Sequence, residues 1–305
     1  SSAACIVNTG HIPIFADVNL LTQNISMDDI KKKISKRTKA IICVHLAGLP
    51  CNMHAIKKLA NKNKIKIIED CSQAHGASIN NKQVGSFGDV STWSFCNDKI
   101  ISTLGEGGMI STNKKKIYNF CKVYINHGST LQNKKNSEKF LYNKDYFGTN
   151  LRITEIQSVA GLEQLKNLGK IQTKREKMSK SYFHVISKYQ NHIYSYFPST
   201  NIKCAWYRVY FFLKTNVKNY QKIRFKIIAD LKKNNVKCFT GSCPEIYLEK
   251  AFKNLKNFKV TRLKNCKILG ETSIALDVNH TLKDNDYKQN LLTIESVLKK
   301  NLKNK

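Results

Sequence analysis

No CxxC pair occurs among the ten cysteines, and none of their spacings suits a metal site. That excludes a zinc ribbon, a dithiol redox centre and a disulfide framework. Several cysteines, such as Cys43 in "AIICVHL", sit in apolar runs, where the residue acts as a small hydrophobe. The pattern suits a reducing cytosol. Long apolar runs are missing too: none approaches the roughly 18 residues of a membrane-spanning helix, so a soluble, cytoplasmic protein is expected. Arginine is scarce. Only six of the 52 basic residues are arginine, against 21 acidic residues and a net charge of +31. Readers of nucleic acid concentrate arginine, whose planar fork suits phosphate and guanine. Here the lysines run from Lys31 to Lys305 beside an excess of Asn and Ile, residue types that share AT-rich codons. The charge reads as a basic solvated surface, and a basic nucleic-acid-binding protein is the minor alternative.

What is present is an alternation of strands and helices. "PIFADV" (13–18), "AIICVHL" (40–46), "IKIIED" (65–70), "VSTWSF" (90–95) and "GGMIST" (107–112) predict strands. "SMDDIKKKI" (26–34), with a capping-box spelling at Ser26 and Asp29, and "MHAIKKLANKN" (53–63) predict helices. Such alternation implies an α/β sheet flanked by helices, with ligands at the carboxyl ends of its strands. From Thr154 to about Tyr189 one long helix or two abutting ones are expected, with Ile156, Val159, Leu162, Leu165 and Leu168 at helical spacing. Beyond it, a strand (206–214), a helix (220–235) and a terminal helix (284–303) suggest a smaller α+β domain. The expected division is residues 1–170, a large domain, and residues 171–305, a small one. Because the chain opens directly on "SSAACIVNTGHIPIFADV", an α/β domain starting there would lack its first elements, and a fragment is the expectation.

Three segments carry the chemistry: "IIEDCSQAHGA" (67–77), "GSFGDVSTWSFCNDK" (85–99) and "GEGG" (105–108). Taken singly, Asp70 is a cap or turn residue, Lys99 a surface lysine and the glycines a turn. Taken together they supply an amine able to form an imine, a carboxylate for a ring nitrogen, and hydroxyl and backbone donors for a phosphate. Those are the needs of pyridoxal 5′-phosphate. Trp93 reads as core.

These residues resemble the DegT/DnrJ/EryC1/StrS family of sugar aminotransferases, fold-type-I enzymes that act on nucleotide-linked keto-sugars. "TKAIICVHLAGLPCNMHAI", "IIEDCSQAHGASINNKQVGSFGDVSTWSFCNDK", "GEGGMIST", "NHG" and "FGTNLRITEIQSVAGLEQLKNL" follow the family pattern in order. The resemblance implies a mixed, mostly parallel sheet with flanking helices and a smaller C-terminal α+β domain. It makes Lys99 the lysine that binds the cofactor and shuttles the proton, Asp70 the partner of the pyridinium nitrogen, and Gln73 the partner of the phenolic oxygen. Ser94 becomes a phosphate ligand. Asn150 becomes the asparagine that reaches the phosphate of a neighbouring subunit, which implies a homodimer with shared sites. Arg152 is expected to support that loop more than to touch substrate, and His75 and His127 are weighed as structural histidines against substrate contacts. A lysine at 99 also argues against the branch of the family that carries histidine there and dehydrates its sugar.

The implied partners are a nucleotide-diphosphate keto-sugar and an amino donor, usually glutamate in the family; nucleic acid, membrane and metal are not expected. The family's phosphate-binding Gly-Thr turn and ring-stacking aromatic would both precede Ser1. A truncated, catalytically inactive member that keeps the fold is therefore the alternative. Where many members carry a histidine-containing substrate segment, this chain reads "GSCPEIYLEKAF" (241–252), which leaves the sugar unidentified.

Overall fold

A computed structural model describes residues 1–129, 144–255 and 258–302. Four strands form the first sheet: β1 (Ala40–Val44), β2 (Lys66–Asp70), β3 (Val90–Ser94) and β4 (Gly108–Ser111), in the order β1-β2-β3-β4. β1, β2 and β3 run parallel, with Val44 opposite Asp70 and Asp70 opposite Thr92. β4 closes the edge antiparallel, pairing Ser94 with Gly108. The carboxyl ends of three strands therefore lie along one edge.

Local chemistry explains the flanking helices. Helix α1 (Met27–Lys33) starts where the Ser26 side chain accepts the Asp29 N–H. Helix α2 (Met53–Lys62) starts where Asn52 accepts the Ala55 N–H, and it buries Met53, Ile56 and Ala60. These are side-chain caps for backbone donors that a helix start leaves unpaired. Ile41, Cys43, Ile67 and Phe87 complete that core.

The strand expected over 13–18 does not form; only an isolated bridge joins Val18 to Ile25. Side chains take over its backbone instead. The Asp29 carboxylate accepts the Asp17 N–H, and the Asp17 carboxylate accepts the N–H groups of Asn265 and Cys266. Those two residues open helix α7, introduced below, so the segment is a tether between regions rather than a strand.

Helices α3 (Lys115–Tyr124), α4 (Glu155–Lys166) and α5 (Leu168–Ser187) follow, the last two abutting at Asn167. The second sheet holds β5 (Ile193–Tyr194), β6 (Arg208–Leu213), β7 (Cys238–Phe239) and β8 (Ser273–Asp277). Its order is β7-β8-β6-β5, all antiparallel. Helices α6 (Tyr220–Lys233), α7 (Lys264–Thr272) and α8 (Asp284–Leu302) surround it.

The central strand β6 is buried from Val209 to Leu213, and α5, α6 and α8 pack Tyr182, Ile227 and Leu298 into the same core as Phe211. Helix α5 bridges two cores. Its Leu168 and Ile171 lean on a separate cluster of Cys71, Ala74, Ile100 and Tyr207, whereas Met178, Tyr182, Val185 and Ile186 join the core of Phe211.

Candidate active site

The loops after β1, β2 and β3 meet at the carboxyl edge of the first sheet. Asp70, the last residue of β2, accepts the Ser72 N–H on Oδ1 at 3.1 Å and the Ser2 hydroxyl on Oδ2 at 2.6 Å. Gln73 lies one turn further on, and its Oε1 accepts the Ala47 N–H at 2.7 Å. That bond fixes the amide, leaving Nε2 as the free donor. Ala47 is held at φ 56° in the short turn Leu46–Gly48. Gly48, at φ 85°, lets this turn press inward: a Cβ there would lie 2.9 Å from the Gln73 carbonyl and 2.9 Å from the Trp206 nitrogen.

Ser94 ends β3, and Lys99 follows in the next loop. The Lys99 side chain is 16% exposed and pairs with Asp98 at 3.1 Å. Tyr207 donates its hydroxyl to Asp98 at 2.5 Å, and its ring centre lies 5.2 Å from Lys99 Nζ. Burial pushes the Asp98 carboxyl up, but the Tyr207 and Lys99 hydrogen bonds and the lysine charge outweigh it and hold the group below its ordinary range. Burial raises the Tyr207 hydroxyl, and its bond to Asp98 adds to the rise.

His75 is buried beside this cluster, its ring centre 5.5 Å from that of Trp93 and 5.9 Å from that of Phe95. Neither ring nitrogen completes a hydrogen bond. Burial lowers its pKa to about 4, helped by the charges of Lys99 and Arg175 and opposed by the nearby Ser94 backbone. The ring is neutral at physiological pH and forms part of an apolar wall.

Beneath the edge lies a second buried group that the motifs did not single out. Glu69 accepts the N–H groups of Gly85, Phe87 and Gly88 at 2.7 to 2.8 Å and faces His45 Nε2 at 3.1 Å. His45 Nδ1 accepts the Cys51 N–H, so the imidazole proton sits on Nε2. Burial pushes the Glu69 carboxyl up, but the His45 bond and the Gly88 and Gly85 amides more than offset it. Cys71 lies close enough to complete a three-residue cluster with them. Burial, reinforced by the charges of Glu69 and Asp70, drives its thiol far up and keeps it protonated, and the ligand atoms of His45 and Glu69 are already engaged. The cluster is a hydrogen-bonded knot joining loops 45–51 and 85–88. Alternation along β2 is the signal that would have found it, because Glu69 must face away from Asp70.

The structure thus brings together Asp70, Gln73, Ser94, Lys99 and His75. It places His127, Asn150 and Arg152 elsewhere, in an exposed loop pair. Asn126 and Asn150 bridge there, and the Arg152 side chain bonds Asn126. Among the described residues no hydrogen bond or ion pair links these three to the Lys99 group. Beside them runs α4, whose Ile156, Val159, Leu162 and Leu165 are 52–70% exposed. The last two glycines of "GEGG" serve packing: a Cβ on Gly107 would lie 2.2 Å from Thr103 Oγ1, and one on Gly108 2.8 Å from the Trp93 carbonyl, whereas Gly105 takes a φ of 149° in open space.

A pyridoxal phosphate would find matching chemistry here: an amine, a carboxylate with unfilled acceptor positions, a free amide donor, a hydroxyl and an aromatic wall. Tyr207 and Asp98 escaped the motif reading for different reasons. Tyr207 is distant in sequence, and Asp98 is adjacent to Lys99 with nothing local to mark it.

The model of the DegT/DnrJ/EryC1/StrS aminotransferase family matches residues 1–294. Over 166 residues, 54% of this chain and 43% of the relative, the sequence is 42% identical to the GDP-perosamine synthase of Escherichia coli O157:H7. It is 38% identical over 159 residues to the UDP-N-acetyl-3-dehydro-alpha-D-glucosamine 3-aminotransferase of Acidithiobacillus ferrooxidans, covering 52% of this chain and 41% of that protein. Both matches span less than half of those relatives. An aminotransferase from Psychrobacter cryohalolentis is 36% identical with a TM-score of 0.93, covering 99% of this chain and 78% of that one. The expected fold-type-I architecture, α/β with a mixed, mostly parallel sheet, is the one observed.

Proposed function

Since the chain belongs to the DegT/DnrJ/EryC1/StrS aminotransferase family, we propose that it aminates a nucleotide-linked keto-sugar, taking nitrogen from an amino donor such as glutamate, with pyridoxal 5′-phosphate as cofactor. The observation that carries this reading is the convergence of Asp70 and Gln73 from the end of β2 with Ser94 and Lys99 from the end of β3 on one sheet edge. Relatives named for GDP- and UDP-linked sugars support the substrate class, and one named for spore coat polysaccharide biosynthesis supports a role in surface-polysaccharide synthesis.

When bound, the cofactor supplies an electron sink for the carbon that gains or loses nitrogen. The chain's own residues have separate tasks. Asp70 offers its carboxylate to the ring nitrogen, and the Ser2 and Ser72 bonds keep that carboxylate in place. Gln73, with its oxygen held by Ala47, donates Nε2 to the phenolic oxygen. The Ser94 hydroxyl serves the phosphate. Lys99 Nζ would hold the cofactor and, as a free amine once released, would carry the proton between the two carbons. Asp98 and Tyr207 hold that amine before it is engaged. His75, Trp93 and Phe95 exclude water from one side.

We assign Asn150, with Arg152 and His127 near it, to the site of a second copy, in a homodimer that covers the apolar stripe of α4. The exposure of that stripe and of Phe147 and Leu151 next to Asn150 supports the assignment. No helix among the described residues is long and apolar enough to cross a membrane, and we place the enzyme in the cytoplasm.

The test is spectroscopic. The purified protein mixed with pyridoxal phosphate is expected to turn yellow, and borohydride reduction with peptide mapping should put the adduct on Lys99. Lys99→Ala should carry none. A colourless wild-type protein with no adduct would overturn the reading and favour the inactive alternative.

A further inference from the structure

Resting on the transamination reading, we propose that Arg208 binds a carboxylate of the amino donor, holding the distal acid group of a dicarboxylic amino acid in the cavity beside Ala47. Three arginines of the small domain and its bridging helix meet buried surroundings, and two of them are spent on backbone. Arg175 donates to the carbonyls of Trp206 and Tyr207, and Arg224 to those of Ser273 and Thr240. Among the described residues no carbonyl accepts from Arg208, and its Nε is buried without a hydrogen-bond partner. Asp277 stands opposite it in the ladder but pairs with Lys237 at 3.6 Å. The guanidinium packs with Cζ 3.7 Å from the Phe239 ring centre and 5.0 Å from that of Tyr207, and the Tyr207 side chain is its hydrogen-bonding neighbour. A buried Nε–H left without an acceptor is a costly arrangement for a structural residue.

Its position gives that donor a use. Arg208 lines a cavity of about 30 Å³ together with Thr22, Gln23, Ala47, Trp206 and Tyr210. Ala47 is the residue that fixes Gln73, and Tyr207 is the residue that bonds Asp98 beside Lys99. Lys99 Nζ and the Arg208 guanidinium flank the same Tyr207 ring, 5.2 and 5.0 Å from its centre. The two groups therefore stand no more than about 10 Å apart, a span that a five-carbon dicarboxylate can bridge when its amino end lies near Lys99. One planar fork also matches a carboxylate in bidentate fashion, whereas a diphosphate calls for several cations.

Glutarate is the probe, titrated calorimetrically into the cofactor-loaded and cofactor-free protein, with GDP and UDP as parallel ligands. Arg208→Gln is expected to weaken glutarate about ten- to a hundredfold, the value of a charge-assisted bond. It should raise the glutamate concentration needed for half-maximal bleaching of the yellow cofactor band by a similar factor, and leave nucleotide binding within about twofold. Arg208→Met, which keeps the packing on Phe239, should lose as much, and thermal melting of both variants checks the fold. Glutarate binding unchanged in a folded variant would overturn the proposal, as would loss of GDP or UDP in place of glutarate. Wild-type protein that takes up no cofactor and is not bleached by glutamate would sink the transaminase reading itself. A wild type that is bleached, beside an Arg208→Gln variant that behaves identically, would sink only the role of Arg208.

Discussion

Helices α4 and α5 abut at Asn167, and both carry apolar residues at helical spacing, yet their surroundings are opposite. Helix α5 buries seven residues, including Met178, Tyr182, Val185 and Ile186, against β6 and α8. Helix α4 buries none. Its N-terminus is nonetheless well made, with a capping box in which Thr154 and Gln157 satisfy each other's backbone groups. The lesson is that periodicity reports that a helix has an apolar face and is silent about what covers it. In α5 the cover is this chain. In α4 we assign it to a second copy.

The largest expected effect lies on the buried side. Tyr182 is 2% exposed, and Tyr182→Ala should cost about 3–5 kcal/mol of unfolding free energy, as buried aromatic truncations do, read as a shift in denaturant midpoint. A smaller cost would mean that this core is less well packed than α5 suggests.

Next is acid stability at the same junction. His75 has its pKa lowered to about 4 by burial, so the unfolded chain binds a proton that the folded one refuses between about pH 6.5 and 4. The stability it contributes is fully present above the unfolded value and is lost as pH falls through that window, on the order of 3 kcal/mol. His280, lowered to about 4 by burial and by the charges of Arg175 and Lys174, adds a slope of the same sign. His75→Phe should remove its own share, read from denaturation midpoints at several pH values. An unchanged acid slope would show that this ring is hydrated rather than walled in.

The smallest effect on protomer stability belongs to α4. Leu162 is 59% exposed, so Leu162→Asp should change the unfolding free energy of the isolated protomer by under about 0.5 kcal/mol. It should nonetheless convert a dimer to monomers in sedimentation velocity. A monomeric wild type, or a variant that still dimerises, would break the contrast between the helices.

Much of the site was legible in the chain. Parallel strands put their carboxyl ends on one edge, so "IIED" and "WSF" located Asp70 and Ser94, and short loops kept Gln73 and Lys99 beside them. The strand expected over 13–18 was not legible, because its backbone is satisfied by the carboxylates of Asp17 and Asp29 rather than by a neighbouring strand. The knot of Glu69 and His45 was readable only from the alternation of β2, and the partners of Lys99 only in part. Asp98 is its neighbour, while Tyr207 lies 109 residues beyond Asp98 and meets it through the junction of the two cores.

The sequence by itself determined the order of strands and helices, the caps at Ser26, Asn52 and Thr154, and the edge on which the candidate cofactor residues gather. Those properties follow from spacings within one or two turns of chain. Tertiary structure alone decided that the Arg208 Nε–H is buried without an acceptor, that His75 is dehydrated, and that the apolar stripe of α4 faces outward. Each depends on which distant surfaces meet, and the free energy of burial is set by the neighbour that arrives, not by the residue that waits for it.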